Sequence, residues 1–319
     1  MPDLDVLVLG MMMGEVSPPR AGTSFGDGRG LVLFPSGSAT IFAIALARLG
    51  ARVGLLSRVG DDPLGAWMRE QATTAGIDTA VVGVVSGQQT PLALASVDRE
   101  GRKTYSFYRY EGRCDPLATL RAAEVPDDLL RRARVFDFGE ASLRSPHLRE
   151  ETLTLARRAR ELGAAICYTP NYRAAAWSGG AAEASTVQRQ AVALATVTLM
   201  NREEAQLLSG EPDPESAVRA LLHLGPQIVI VTGGADGALV ATAAGNTPIP
   251  AVPVRVVFDI GAGDTFHAGF LATWQPGGDP IPAARFATHA AALKIAQEPL
   301  PELVPTREDV LAALQQAGR

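Results

Sequence analysis

A short motif near the end of the chain, Gly261-Ala262-Gly263-Asp264, places one carboxylate after three small residues. Because glycine has no Cβ, several backbone N–H groups can converge on one point there. A helix that begins at the motif directs the positive end of its dipole at the same point. The motif therefore predicts an anion cradle formed by Gly261, Ala262 and Gly263. Asp264 can accept the proton of an attacking hydroxyl group, which predicts phosphoryl transfer with Asp264 as general base.

The same four residues also have a purely structural interpretation. Asp264 can be the N-cap of a helix that the apolar run Phe266–Trp274 predicts. The motif alone does not separate the two interpretations. It does differ from the phosphate loop of P-loop NTPases, because the chain contains no Gly-x-x-x-x-Gly-Lys-Ser/Thr sequence.

Alternating strand and helix patterns fill most of the chain and must position this motif. Short apolar runs predict buried strands, and the segments between them have helical periodicity. This order predicts a parallel sheet with helices on both faces. The predicted strands are Val6–Leu9, Val53–Leu56, Ala80–Val84, Val135–Phe138, Ala164–Tyr168, Thr196–Met200 and Ile228–Thr232. The predicted helices are Ala39–Leu49, Asp62–Gly76, Leu148–Leu162, Ala182–Ala193, Glu203–Leu208, Glu215–Leu222 and Arg307–Gln316.

Two segments interrupt the alternation. Gly14–Phe34 is rich in Gly, Ser and Pro, and Pro91–Tyr108 alternates apolar and polar residues around Asp98-Arg99-Glu100-Gly101. The second pattern is typical of a β-hairpin. Together the segments predict a small antiparallel flap that projects from the sheet and excludes water once substrate binds.

Composition excludes several classes of function. The net charge of −5 and the hydrophobic content of 47% fit a globular protein and lack the basic face of a nucleic-acid-binding protein. No apolar run reaches the length of a membrane helix, and the N-terminus lacks the pattern of a signal peptide. Cys114 and Cys167 have no metal-ligand spacing and the four histidines are scattered, so no histidine metal site is predicted. We therefore expect a cytoplasmic protein with free thiols.

Four motifs in this order resemble the ribokinase-like carbohydrate kinases, also called the phosphofructokinase B family. Ser36-Gly37-Ser38, followed by Ala45–Gly50 and Ser57–Asp62, is similar to the N-terminal signature of that family, and Phe258–Phe270 is similar to its C-terminal signature. Asn201-Arg202-Glu203-Glu204 matches the Asn-x-x-Glu motif, and Thr232–Gly237 matches the turn beside the nucleotide. Tyr168–Arg173 resembles a stretch of 2-keto-3-deoxygluconate kinases, with Thr169 in place of their Asp.

The resemblance implies one kinase domain over residues 1–319, with a ribokinase-like three-layer α/β/α core and a mainly parallel central sheet. A small β-sheet lid is implied at about 13–35 and 88–110. The implied activity is ATP-dependent phosphorylation of a hydroxyl group of a sugar or sugar acid. ATP and Mg²⁺ are the implied cofactors, with Glu204 holding the metal through water. The implied nucleotide-binding residues are Asn201, Thr232, Gly234, Gly237 and Thr288.

Substrate contacts follow from the same resemblance. Glu15 stands where relatives bind sugar hydroxyl groups, and a carboxylate can accept two such hydrogen bonds. Arg173 can bind a carboxylate or a phosphate in a bidentate manner, although an ordinary surface arginine has the same sequence context. The implied substrate-binding residues are Glu15, Gly37, Ile41, Thr90, Arg109 and Arg173.

Several positions depart from the family pattern. Ile41 stands in place of an Asn, and Phe258 in place of an Asp that is displaced here to Asp259. The displaced Asp and the loop 297–301 fall where relatives bind a monovalent cation, so potassium activation is not part of the prediction. The departures leave open a nucleotide- or sugar-binding protein that has lost catalysis. The apolar flap residues Phe107, Tyr108 and Tyr110 can stack on a base, which leaves open a nucleoside kinase of the same fold. An exposed lid edge also suggests a homodimer, because a second subunit often covers such an edge.

Overall fold

The structure is a computed structural model, and it describes residues 2–18, 30–97, 103–110, 112–257, 261–297 and 304–317. A nine-stranded sheet forms the centre, with the strand order β13-β12-β11-β10-β9-β8-β1-β4-β5. Seven neighbouring strands, from β11 to β5, run parallel, which confirms the predicted parallel core. These seven strands are β1 Leu4–Leu9, β4 Val53–Gly60, β5 Val82–Val85, β8 Ala133–Gly139, β9 Ala165–Thr169, β10 Val197–Asn201 and β11 Ile228–Thr232.

One edge of the sheet is antiparallel, which the sequence patterns did not predict. β12 Ala238–Thr242 pairs with β11, and β13 Gly245–Ile249 pairs with β12. Each strand is joined to the preceding one by a short turn, and the first turn contains one 3₁₀ turn at Gly234–Asp236, so no α-helix separates them from β11. The predicted strand at Ala80–Val84 begins two residues later, at Val82.

Helices cover both faces of the sheet, as the alternation predicts. Strand side chains alternate between the faces: Leu7 and Phe136 pack into one core, and Val6 and Val135 into the other. The first face is covered by α3 Asp127–Arg131, α4 Pro146–Glu161, α5 Gly180–Leu194, α6 Arg202–Ser209 and α7 Pro214–Leu222. The second is covered by α1 Ser38–Arg48, α2 Pro63–Thr74, α8 Ala262–Thr273, α9 Pro280–Ile295 and α10 Arg307–Ala317. Within the described residues, no helix combines the length and apolar content needed to cross a bilayer.

A separate four-stranded sheet, here called the lid, is built from the two predicted flap segments. Its order is β3-β2-β6-β7, with β2 Met13–Ser17, β3 Val32–Ser36, β6 Leu92–Val97 and β7 Lys103–Tyr108. The hairpin of β6 and β7 is confirmed, whereas its turn residues 98–101 lie outside the described residues. The prediction of a purely antiparallel flap is wrong, because β2 and β6 pair in parallel. In the chain, β2 follows β1 of the central sheet, whereas β6 follows β5. The relative direction of β2 and β6 therefore depends on how two distant segments pack, which local patterns do not show.

Candidate active site

Asp264 lies in the first turn of α8. Gly261 is the N-cap of this helix with a left-handed backbone, φ 87° and ψ 3°, a conformation that glycine adopts without strain. Asp264 is the third helical residue, and its side chain accepts no hydrogen bond from a backbone N–H of the described residues. The alternative that Asp264 is the N-cap is therefore wrong.

The surroundings of Asp264 combine an open anion site with a partly buried carboxylate. The N–H groups of Ala262, Gly263 and Asp264 have no partner within the helix, because they belong to its first turn. Burial raises the pKa of the Asp264 carboxyl, and the positive charges of His267 and Arg173 act in the opposite direction. This arrangement can bind an anion at the helix end and accept a proton beside it.

Asn201 and Glu204 form a reciprocal cap at the start of α6. The Asn201 side chain accepts from the Glu204 N–H, and Glu204 Oε2 accepts from the Asn201 N–H, both at 2.9 Å. Glu204 Oε1 accepts from the Tyr172 N–H at 2.7 Å. The carboxyl is buried, and burial is the main reason that its pKa is raised. Glu204 thus ties the end of β10 to the loop after β9.

The turn between β11 and β12 contains two glycines with different constraints. Gly237 has φ 82° and ψ −133°, and a Cβ added there would stand 2.0 Å from the Ile249 carbonyl oxygen. Gly234 has φ 61°, and a Cβ there would meet open space. Thr232 is the last residue of β11 and pairs directly with Asn201, the last residue of β10. Both residues therefore lie at the carboxyl ends of their strands. Thr288, on α9, is buried and donates its hydroxyl to the Ala284 carbonyl at 2.9 Å.

Two predicted substrate residues lie where the lid meets the sheet. Glu15 is buried on β2 and accepts a hydrogen bond from the Ser36 hydroxyl at 3.0 Å. Gly37 is the N-cap of α1 with φ 90°, and a Cβ there would stand 2.5 Å from the Met11 carbonyl oxygen. Only glycine fits this close approach. Ile41, one turn later on α1, is half-buried.

Thr90 and Arg109 have protein partners. Thr90 donates its hydroxyl and its N–H to the two carboxylate oxygens of Asp62, at 2.8 and 2.7 Å, and its hydroxyl accepts from the Gly60 N–H. Arg109 donates from Nε to Asp115 at 2.8 Å. Both side chains therefore stabilise the base of the lid, and their predicted sugar contacts stay predictions.

Arg173 is exposed and follows β9. Its guanidinium donates one hydrogen bond among the described residues, to the Tyr172 carbonyl at 3.3 Å. Its positive charge opposes the larger, burial-driven rise in the pKa of Asp264 and Glu204, so it lies within electrostatic reach of both carboxylates. The predicted contact of Arg173 with a substrate anion stays a prediction. Phe258, Asp259 and residues 298–301 lie outside the described residues.

Two groups of buried polar side chains near the carboxyl ends of these strands were not predicted from the sequence. The first is Glu140, a buried carboxylate that follows β8 and accepts from Trp177 Nε1 and from the guanidinium of Arg144. The second brings together Asp137, Cys167 and His267, whose ligating atoms all lie within 4.8 Å of one another. Asp137 interrupts an apolar strand, and this was the one signal in the sequence. The contact itself depends on the pairing of β8, β9 and α8.

Comparison with known proteins gives consistent results over the whole chain. The family model described as pfkB family carbohydrate kinase matches residues 3–307. Fructokinase-1 of Zea mays is 28% identical over 320 residues, covering 98% of this chain and 98% of that protein. A putative ribokinase II of E. coli, solved with ATP and Mg²⁺, has a TM-score of 0.84 at 25% identity, covering 98% and 99% of the two chains. A fructokinase of Xylella fastidiosa with bound ATP is similar in fold, with a TM-score of 0.86 at 22% identity over 99% of both chains.

Proposed function

We propose that this chain, which belongs to the pfkB family of carbohydrate kinases, transfers the γ-phosphoryl group of ATP to a hydroxyl group of a sugar or sugar acid. One observation carries the proposal: Asp264 stands beside the open N-terminus of α8 and has no hydrogen-bond partner among the described residues. A carboxylate in that position is available to take a proton at the point where a phosphate would bind. The ATP-bound relatives support ATP as the phosphoryl donor.

The reaction needs three contributions from this chain. Asp264 takes the proton of the sugar hydroxyl as its oxygen attacks the γ-phosphorus, and ADP leaves. The N–H groups of Ala262 and Gly263 stabilise negative charge on the transferred group. The lid closes over the sugar and excludes water, which otherwise competes as the phosphoryl acceptor. Asn201, Thr232, Gly234, Gly237 and Thr288 remain our proposed nucleotide-binding residues.

Glu204 is our proposed Mg²⁺ residue, and its geometry fits a water-mediated contact. Each carboxylate oxygen accepts one backbone N–H, which leaves lone pairs for water. Mg²⁺ keeps several water molecules and is typically held by one or two carboxylates together with substrate phosphates. When bound, the ion neutralises charge on the phosphate groups. The Mg²⁺ in the E. coli relative supports this cofactor.

Replacing Glu204 with glutamine is therefore expected to raise the Mg²⁺ concentration at half-maximal activity. The amide carries no negative charge, so its water-mediated hold on the cation weakens. Activity is measured over a Mg²⁺ titration at saturating ATP and sugar. Glu203→Gln is the matched control, because Glu203 occupies the same helix turn but is exposed. If Glu204→Gln and the control require the same Mg²⁺ concentration, Glu204 caps α6 and does not contribute to metal binding.

The substrate class is proposed from Arg173 and from the relatives. Fructokinases among the similar proteins support a neutral sugar. An exposed guanidinium within electrostatic reach of Asp264 supports an anionic group on the substrate, as in a sugar acid. Glu15, Gly37, Ile41, Thr90 and Arg109 complete the proposed sugar side.

Nucleosides form a second candidate class because the lid carries exposed aromatic side chains. Phe107 in the lid and Tyr110, two residues after its last strand, are each 57% exposed, and Phe107 stacks on Tyr105 at 5.5 Å between ring centroids. Aromatic faces of this kind can stack on a base. The same exposed surface supports dimerisation through the lid, which we retain as a proposal. The cytoplasmic location is also retained as a proposal.

A substrate panel tests the proposed function. ADP formation is measured with fructose, ribose, 2-keto-3-deoxygluconate and adenosine, each with ATP and Mg²⁺, and without acceptor. We expect acceptor-dependent ADP formation with a sugar or the sugar acid. If the sugar acid is the substrate, Arg173→Gln will raise its KM and leave the KM of a neutral sugar unchanged. Turnover with adenosine alone favours the nucleoside kinase, and binding without turnover favours a protein that has lost catalysis.

A further inference from the structure

Three side chains meet between the sheet and α8, directly below the turn that carries Asp264. Asp137 and Cys167 are paired across β8 and β9, so their side chains share one face of the sheet. His267 Nε2 lies 3.1 Å from Asp137 Oδ1 and 3.2 Å from Cys167 Sγ. The Thr169 hydroxyl lies 3.1 Å from His267 Nδ1. We call Asp137, Cys167 and His267 the sub-helical cluster.

The sub-helical cluster is buried: Asp137 is 4% exposed, His267 5% and Cys167 0%. An ionised carboxylate at such a position requires a counter-charge. Asp137 Oδ1 receives no aligned hydrogen bond among the described residues, and His267 Nε2 lies 3.1 Å from it. His267 is therefore the side chain whose position allows it to supply this counter-charge.

A metal ion is the competing occupant of these donors. Burial and the neighbouring Asp137 raise the pKa of the Cys167 thiol, and a thiol must lose its proton to bind a metal. The contacts to His267 Nε2 are also at ion-pair and hydrogen-bond distances. The observations thus favour a protonated cluster over a metal site.

His267 is close to the proposed catalytic base. It follows Asp264 by three residues in the same helix, so the two side chains lie on neighbouring turns of one face. Its ring stacks on Phe42 of α1 at 4.1 Å between centroids, which fixes its orientation. The positive charge of His267 opposes the effect of burial on the Asp264 carboxyl.

Other charged groups approach the same turn and bear on its protonation. Asp137 and Cys167 face His267 from the sheet. Arg173 acts on Asp264 from the loop after β9. Lys294 of α9 is buried, with its Cε 3.5 Å from the position of a Cβ on Gly261. His267 Nε2 lies in direct contact with the buried carboxylate of Asp137, at 3.1 Å.

We propose that His267 is a positioning residue whose charge, held by Asp137, keeps Asp264 ionised for proton acceptance from the sugar. This inference rests on the proposed role of Asp264 as general base. Without a positive charge behind it, a partly buried carboxylate takes up a proton at higher pH and ceases to be a base there. The pair of Asp137 and His267 thus extends activity to lower pH.

The test is the pH dependence of kcat/KM for the sugar identified by the panel, measured between about pH 5 and pH 9. In His267→Gln, we expect the acidic limb of the profile to move to higher pH. The loss of kcat/KM near pH 5 should exceed the loss near pH 9 by at least about threefold, which corresponds to half a pKa unit. At high pH Asp264 is ionised in both proteins, so the difference disappears.

Asp137→Asn should move the limb in the same direction, because His267 then loses the anion that holds its proton. The double variant should shift no further than His267→Gln alone, since Asp137→Asn acts through the positive charge on His267, which His267→Gln has already removed. Cys167→Ser is the matched control, because it changes the cluster but leaves both charges. Melting temperature and ATP binding are measured for every variant, and His267→Asn serves if His267→Gln does not fold.

Three results would overturn the inference. The first is a uniform loss at all pH values in His267→Gln, which indicates packing alone. The second is a shift to lower pH in Asp137→Asn. The third is one equivalent of Zn²⁺ retained by the wild type and lost in Cys167→Ser, which assigns the cluster to a metal. If Asp264→Asn remains active, the proposed base itself fails, and this outcome is distinct from all three.

Discussion

Replacing Asp264 with asparagine is expected to lower kcat by at least about 10²-fold, the lower range for loss of a general base. Asparagine keeps the size of the side chain but cannot take the hydroxyl proton. The Asp264 side chain caps no N–H of α8, so the helix keeps its N-terminal contacts in the variant. ATP affinity should therefore change little. The measurements are steady-state turnover at saturating sugar and ATP affinity by calorimetry.

Asp213→Asn is a matched control for this experiment. Asp213 is the N-cap of α7 and accepts from the Ser216 N–H at 2.9 Å. Asparagine caps helices about as well as aspartate, so we expect full activity and unchanged stability. An Asp264→Asn protein with more than about half of the wild-type turnover would remove Asp264 from proton transfer, because a lost general base costs far more.

Replacing Gly237 with alanine is expected to cause the largest loss of stability among the site variants. Its backbone conformation is one that residues with a Cβ rarely adopt, and the new Cβ would stand 2.0 Å from the Ile249 carbonyl oxygen. The turn between β11 and β12 must then shift. We expect the free energy of unfolding to fall by more than about 2 kcal/mol, as strain of this kind costs 1–3 kcal/mol before the clash is counted. ATP affinity should fall as well, since this turn is the proposed nucleotide contact.

Gly234→Ala is the matched control in the same turn. Gly234 also has a positive φ, but its Cβ would meet open space, so only the backbone penalty of about 1 kcal/mol applies. Urea unfolding of the three proteins separates the two contributions. Equal losses in Gly237→Ala and Gly234→Ala would show that the close approach to Ile249 does not limit this turn.

Local sequence patterns predicted the elements that depend on neighbouring residues. The Asp62-Pro63 start of α2 is confirmed, with the Asp62 side chain accepting from the Gly65 N–H. Capping and helical periodicity act within a few residues, so they are visible in the sequence. The strand β13 was missed because most of its residues are exposed and it contains Pro248, a pattern that does not distinguish it from a loop. The strand β12 was missed although its residues Ala238–Ala241 are apolar and mostly buried, because the run is short and directly follows a glycine-rich turn.

The features of the candidate site also differ in whether local sequence patterns could predict them. The Gly-Ala-Gly-Asp motif predicted the cradle at α8, because its conformation is local and its glycines permit it. The partners of Thr90 were not predictable: its two hydrogen bonds reach Asp62, 28 residues away. They form because β4 and the lid strand β6 bring Asp62 and Thr90 together.

By itself, the sequence determined the alternation that produces a parallel sheet, the family motifs and the carboxylate at the helix start. Tertiary structure alone decided that β2 and β6 pair in parallel, and that Asp137, Cys167 and His267 meet below Asp264. The physical reason is range. Helix periodicity, caps and glycine turns are fixed by residues close in the chain, whereas buried charges find their partners only when strands pair and a helix packs over them.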